Sequence, residues 1–472
     1  MQRERLRLGL LALTQLIVAL DYNIVYVALP DIGRALHFGP QSVQWVVSAY
    51  SVGLGGLLLF GGRAVDRLGP RRIFMIGLAL YGVASLTGGL APDSGVLLAA
   101  RAVQGAGGAL LTPATLTLIY RGFVEGPARN RALGAWGMAG SAGLAAGSLL
   151  GGVLTSSLGW SWVFFVNVPL ALGCVLAAPR LLPADPDRSN GGFDLPGAML
   201  ATTGSALLVL GLAEGPGAGW ASLRSAGALA AGAALLALLL LVEARTRDPL
   251  IPLPLARSRN LATTMIVIAV FQGTLGGGFY ILTSYLQPVR GYSALAAGLT
   301  FLPLTLVCML AALKATPALL GRWGIRTTLA VSTTGTGAGI AAMVAGTTPG
   351  GGFWTLLPGS VVWGLFGGVA FVTLFASAGS GVTPHEQGIA SGLASTAKEV
   401  GGALGLAVFV AIATSSPGLL HNLHVAGYTA AIATAVAGLI ALVLKPSTSP
   451  STSIHESSPR TQESTAFEGA GK

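Results

Sequence analysis

Charge is what this chain has least of. Asp, Glu, Lys and Arg make up 9% of its 472 residues, against about 25% in an ordinary soluble domain, and its mean hydropathy is +0.72. That shortage excludes a string of water-soluble domains and marks an integral membrane protein. Acids are the scarcer sign, 17 against 27 bases. The net charge of +10 is not read as a nucleic-acid footprint, because the bases sit in short connections between apolar runs, where they set membrane orientation. Cysteine is nearly absent: Cys174 and Cys308 both fall inside apolar runs, which supports neither a disulfide framework nor a zinc site. No GxxxxGK[ST] phosphate loop occurs, so nothing supports direct drive by ATP. The connections offer neither clustered acidic metal ligands nor a soluble catalytic segment, so neither an enzyme nor a cofactor is expected. His421 and His424 have a metal-compatible spacing but no third ligand, and no metal is assigned to them.

Apolar length and glycine are what the chain has in excess. Glycine fills 69 positions, about twice the usual share, and small residues let membrane helices approach closely. Runs of about 20 apolar residues, enough to cross a bilayer, can be placed fourteen times. The seventh and eighth, 196–212 and 226–242, are separated only by the stretch EGPGAGWASLR. With both termini cytoplasmic, 21 of the 27 Lys and Arg residues fall on cytoplasmic segments, as the positive-inside bias demands; an odd count would scramble the alternation. The amino terminus opens like a signal peptide, but its apolar run continues to Pro30 without a small-residue cleavage site, so it is expected to persist as the first helix. The expected organisation is a six-helix bundle over 1–183, an inserted helix pair with its connections over 184–258, a second six-helix bundle over 259–445, and a Ser/Thr-rich disordered cytoplasmic tail over 446–472. The expected fold is therefore an all-α polytopic protein of the cytoplasmic (inner) membrane, six plus two plus six helices.

The stretch Gly61–Arg72, GGRAVDRLGPRR, packs four arginines into a short connection and marks a cytoplasmic end. Its core, Asp66–Arg71, lines up with Gly321–Arg326, again between two membrane-length runs, and His37–Ser42 resembles Arg290–Ser293 one run earlier. Two pseudo-symmetric halves are therefore expected, and repeats so related place a substrate at their interface near the bilayer midplane.

Ionisable residues inside spans mark ion or substrate pathways by default. Asp21 lies about 20 Å into the first helix, and Arg101 enters from the opposite end about 8 Å in, so their depths are similar. Lys398 and Glu399 lie about 15 Å into the thirteenth run, near the midplane. A carboxylate there can take and release a proton, and an arginine that approaches or withdraws ties protonation to conformation. A static ion pair is the alternative to this role for Asp21 and Arg101; Lys398 and Glu399, being neighbours, are expected on different helix faces. Lys314 sits near the end of its run, where snorkelling suffices, and receives no role.

Several runs carry a more specific likeness. Leu20–Pro30, LDYNIVYVALP, resembles the first-helix signature LDxTIVNVALP of the fourteen-helix drug:proton antiporter branch of the major facilitator superfamily, with Asn23 and Tyr26 departing from it. Arg101–Ala109 with Pro113 resembles that family's fourth-helix motif. Gly143, Gly147, Gly151 and Gly152 resemble the fifth-helix motif GxxxGPxxGG, with Ser148 in place of its proline. Trp160–Pro169, WSWVFFVNVP, resembles WRWIFxINVP, and Gly388–Leu393 with Gly401, Gly402 and Gly405 resembles the thirteenth-helix pattern. Gly61–Arg72 resembles the family's loop after the second helix. The likeness runs from about Leu10 to Leu444.

The resemblance implies proton-coupled efflux of amphipathic organic compounds such as drugs or antibiotics, by a monomer in contact with lipid, driven by the proton gradient without a cofactor. It implies proton coupling by Asp21, Arg101 and Glu399, and a cavity drawing on Tyr22, Asn23, Tyr26, Trp45, Tyr50, Gln104 and Gln272. It implies a gating loop of Gly62, Asp66, Arg67, Gly69, Arg71 and Arg72, and helix packing through Gly143, Gly147, Gly151 and Gly152. A dedicated exporter of a metabolite or peptide, a membrane-bound lipid-processing enzyme and a non-transporting receptor are the alternatives.

Overall fold

The computed structural model describes residues 2–38, 43, 45–185, 195–243, 258–292, 294–383, 386–413 and 418–444. The tail over 446–472, residues 39–42 of the internal repeat and the connections over 186–194 and 244–257 lie outside them. Among the described residues every regular element is helical. In chain order these are α1 (Gln2–Ala35), α2 (Trp45–Leu68), α3 (Pro70–Gly89), α4 (Ser94–Gly122), α5 (Pro127–Leu158) and α6 (Trp162–Leu181). Next come α7 (Leu195–Ala218), α8 (Leu223–Glu243), α9 (Arg259–Val289), α10 (Ala296–Ala345), α11 (Phe353–Ala378), α12 (Gln387–Ala413) and α13 (Leu419–Ala441). Eleven of the described helices are long and apolar enough to cross a membrane; α7 and α8 contain shorter apolar stretches, Met199–Leu212 and Leu223–Leu239.

The helices fall into two sets. Helix α5 lies along α1, and α4 is flanked by α2 and α3, with α6 against α3. In the second set α9 packs on α12 and α13, and α10 on α11 and α13. The sets meet where α2 and α4 cross α12, and where α5 crosses α10 and α11. At the second crossing the Trp136 ring stacks on Phe371 at 5.9 Å and meets Phe375 edge-on at 5.1 Å. Lipid tails are as apolar as leucine, so close backbone approach rather than water exclusion holds such helices together. Helix α7 follows the same rule. It lies on α2 and α12, and a Cβ at Gly55 or Gly56 of α2 would come within 2.8 Å of Val209 Cγ2 or 2.9 Å of Ala206 Cβ.

The arginine-rich connection differs from the loop expected over Gly61–Arg72. Helix α2 continues through Leu68 and α3 begins at Pro70, leaving Gly69 alone to break the helix, at φ 97 and ψ 139. Gly62, Asp66 and Arg67 therefore ride on the last turns of α2, while Arg71 and Arg72 open α3. Proline suits the first helical position because its missing N–H would have no intrahelical partner there. The repeat holds at this level of detail: Gly324, aligned with Gly69, is the one non-helical residue within Thr316–Ala345, at φ 71 and ψ 175. Both glycines occupy backbone territory that a side chain makes costly.

Candidate functional site

The site begins with how α5 holds α1. Gly143, Gly147 and Gly151 turn a bare strip toward α1, where a Cβ would come within 2.5 Å of Leu16 O, 2.5 Å of Leu20 O and 2.9 Å of Ile24 O respectively. Successive glycines on α5 thus abut every fourth carbonyl of α1. Asp21, one residue beyond Leu20 and so about 100° round the helix, is turned toward α4 and α6. Gly152 takes no part in this seam: a Cβ there would meet nothing within 4 Å. The expected four-glycine packing face is a three-glycine face, because position 152 lies a further 100° round from 151. The side chain of Ser148 lies outside the described residues.

Asp21 is fully buried and accepts from three side chains on two helices. Arg101 Nη1 donates to Oδ2 at 2.6 Å, and Gln104 Nε2 and Asn167 Nδ2 donate to Oδ1 at 2.9 and 2.8 Å. Arg101 is 1% exposed and uses its fork widely. Its Nη1 also donates to Gln104 Oε1 at 2.6 Å, and its Nε donates to Val46 O at 2.9 Å. Its guanidinium carbon stands 4.5 Å from the centre of the Tyr50 ring, an attractive geometry for a desolvated cation. Gln104 Nε2 reaches on to Ser85 Oγ at 2.9 Å, tying α3 to the cluster. A charge pair taken so completely out of solvent is tolerable only with every lone pair and proton engaged, and this carboxylate has three donors.

Asn167 owes its place to a break in α6. Pro169 has no N–H to offer the carbonyl four residues back, and the helix divides into Trp162–Phe165 and Asn167–Leu181. Asn167 opens the second segment. Nothing in the sequence singles it out beyond its membership of the WSWVFFVNVP run, and Ser85 carries no signal at all, since a serine within an apolar run usually bonds its own helix. Ser85 does that too, donating to Tyr81 O at 2.8 Å.

The remaining expected cavity residues make no hydrogen bond to this cluster among the described residues. Tyr22 and Tyr26, on an exposed face of α1, meet edge-on at 6.0 Å. Asn23 faces α5, where Nδ2 donates to Leu144 O at 2.8 Å. Trp45 begins α2 and Gln272 sits on α9 beside Gly402, both half-buried. Glu399 is not brought to Asp21 by any hydrogen bond or ion pair among the described residues. Its Oε1 lies 2.8 Å from Lys398 Nζ; instead of pointing to separate faces, the two flexible neighbours fold toward each other and neutralise locally. His424 is likewise engaged, its Nε2 2.8 Å from Thr347 O.

At the arginine-rich end Asp66 crosses between the two sets of helices. Its Oδ1 and Oδ2 accept from the backbone N–H groups of Gly388 and Ile389, each at 2.9 Å, at the start of α12. Arg121 Nη2 stands 3.6 Å from Oδ1. A carboxylate on the first turn of a helix satisfies donors that have no intrahelical partner and complements the helix dipole. Gly62 permits the approach, since a Cβ there would lie 2.6 Å from Gly388 O. Asp185 repeats the device within the first set, accepting from the Arg71 and Arg72 N–H groups at 2.9 Å each. Arg71 and Arg72 therefore contribute their backbone here, a use that a count of arginines does not reveal. Tyr120 adds a second tie across the sets, donating to Phe375 O at 2.6 Å.

A family model described as Major Facilitator Superfamily matches residues 11–406. The chain belongs to the major facilitator superfamily. Among its superfamily relatives, a puromycin resistance protein of Streptomyces alboniger is 38% identical over 442 residues, covering 90% of this chain and 87% of that protein. A cephamycin export protein of Amycolatopsis lactamdurans is 40% identical over 420 residues, covering 84% and 83%. In fold, the human organic anion transporter MFSD10 aligns with a TM-score of 0.70 at 17% identity, over 93% of this chain and 99% of that one. The superfamily transporter FucP in its outward conformation aligns at 0.67 and 15%, over 94% and 99%. As a member of the superfamily the protein is a multi-pass membrane transporter of small organic molecules and not an enzyme.

Proposed function

We propose that this transporter exports amphipathic, antibiotic-like compounds from the cytoplasm in exchange for protons, by alternating access in the cytoplasmic membrane. The observation that carries this reading is the fully buried Asp21 held by Arg101, Gln104 and Asn167. An acid sealed in this way can bind a proton only after the arginine withdraws, and that withdrawal is the movement by which protonation and conformation are tied. The export of antibiotics rests on the relatives named for puromycin resistance and cephamycin export. The contacts of Asp66 with Gly388 and Ile389, and of Tyr120 with Phe375, close the arginine-rich end. With that end cytoplasmic, as its arginines favour, the conformation is the outward-facing one of the cycle.

The same reading takes the chain as fourteen crossings with both termini cytoplasmic. The break at Gly324 divides the 50-residue α10 into two, and α7 and α8 form the inserted pair. The bundles then run over 1–183 and 259–445, flanking an inserted segment over 184–258, and the unit acts as a monomer. Tyr22, Tyr26, Trp45 and Gln272 line the substrate path, with Lys398 and Glu399 as its charged pair. The test is substrate-induced proton movement in proteoliposomes: Asp21→Asn should retain substrate binding and lose exchange. Normal exchange in that variant overturns coupling through Asp21. A second reading, a dedicated exporter of one compound, is favoured by relatives each named for a single antibiotic; a transport profile confined to one chemical scaffold would select it.

A further inference from the structure

We propose that Asn167 is the positioning residue that lets Asp21 exist in both protonation forms, giving a hydrogen bond to the carboxylate and receiving one from the acid. The inference rests on the coupling role of Asp21 proposed above. It starts from what each neighbour of Asp21 is able to do. A carboxylate only accepts, whereas a carboxylic acid must also donate one hydrogen bond. Arg101 has donors and no acceptor. Gln104 has an acceptor, but Oε1 already receives Arg101 Nη1 at 2.6 Å; the hydroxyls of Tyr50 and Tyr81, buried beside the pair, are acceptors too, but neither makes a hydrogen bond to Asp21. Asn167 is different. Its Nδ2 donates to Asp21 Oδ1 at 2.8 Å, while its own Oδ1 is buried in the same cluster with no hydrogen-bond partner. Asn167 itself is 0% exposed, so bulk solvent does not reach that oxygen.

A buried carbonyl oxygen left unpaired costs about 1–3 kcal/mol, the penalty for a desolvated acceptor. It gains a partner when a proton arrives on Asp21. Rotation of the amide by half a turn exchanges its NH2 and its oxygen, and the same side chain then accepts from the new O–H. No covalent bond changes apart from the proton's own. Arginine holds the ionised state and lets go; asparagine stays with the acid through the whole cycle.

The experiment compares Asn167→Leu, of similar size without hydrogen-bonding groups, with Asn167→Ser, which donates and accepts, and with Asp21→Asn. Substrate binding, substrate-induced proton movement across a range of pH, and the infrared carbonyl band of protonated Asp21 are measured in proteoliposomes. Asn167→Leu is expected to bind substrate normally and to exchange protons about tenfold or more slowly, since one hydrogen bond to a charged group is at stake. Its pH range for exchange should narrow and its Asp21 band move, with Asn167→Ser restoring part of each. An unmoved band with an unchanged pH profile in Asn167→Leu overturns the proposal, as does equal loss of binding and exchange in both variants, which marks a merely structural residue. Asp21→Asn keeps the two ideas apart. Exchange lost there but normal in Asn167→Leu leaves the coupling role standing and removes Asn167; exchange normal in Asp21→Asn removes both.

Discussion

Asp66 on α2 reaches Gly388 on α12, 322 residues away, and receives its backbone N–H at 2.9 Å. With the matching bond from Ile389, one carboxylate caps a helix of the other half and ties the two halves together at the arginine-rich end. The tie joins a side chain of one half to a helix start of the other, so any separation of the halves at this end exposes both.

Removing that carboxylate should therefore open the end. Each hydrogen bond to an ionised acceptor is worth about 1.5–3 kcal/mol, so Asp66→Ala is expected to shift the balance by tenfold or more toward the state open there. A cysteine introduced at Ser391, which is buried on α12, should then label faster with a thiol reagent while transport falls and substrate binding survives. Unchanged labelling would assign Asp66 to fold stability alone.

The two aligned glycine breaks should differ in tolerance. At Gly69 a Cβ would lie 2.2 Å from Asp185 Cγ, whereas at Gly324 nothing lies within 4 Å. Gly324→Ala is expected to cost only the backbone strain, about 1–3 kcal/mol. Gly69→Ala must in addition displace Asp185 from the start of α3, and should show the larger drop in thermal stability in detergent. Equal losses would mean that the Asp185 cap contributes little.

Along the α1–α5 seam, Gly147→Val should separate the helices, because a Cβ at 147 would come 2.5 Å from Leu20 O. Asp21 would then lose its register with Arg101 and Asn167, and proton exchange should fall at least tenfold, as expected when a packed site is forced apart by about an ångström. Gly152→Val, on the open side, is the control and should transport normally. Purified variants assayed side by side in proteoliposomes give the comparison.

Arg101→Lys is not a conservative change here. The arginine donates through Nε to Val46 and through Nη1 to Asp21 and Gln104, and a single ammonium cannot reproduce that planar fork. Exchange is expected to drop nearly as far in Arg101→Lys as in Arg101→Ala. Full activity in the lysine variant would show that charge alone suffices.

Several of these relationships are legible in the sequence alone. The scarcity of charge, the apolar run lengths and the grouping of arginines are properties of short windows of chain, and the environment that decides them is the bilayer, which acts on each window separately. The alignment of Gly69 with Gly324 was readable for the same reason, because a duplicated turn keeps its local requirement for glycine. The depths of Asp21 and Arg101 followed from counting residues along helices of known rise. Tertiary structure alone decided the rest. Whether Gly151 or Gly152 touches α1, whether Glu399 joins Asp21 or Lys398, and that Asn167 completes the carboxylate's shell all depend on how each helix is rotated about its axis. That rotation is set by close contacts with several partners at once, spread over distances such as the 146 residues between Asp21 and Asn167, and no single run of sequence contains it.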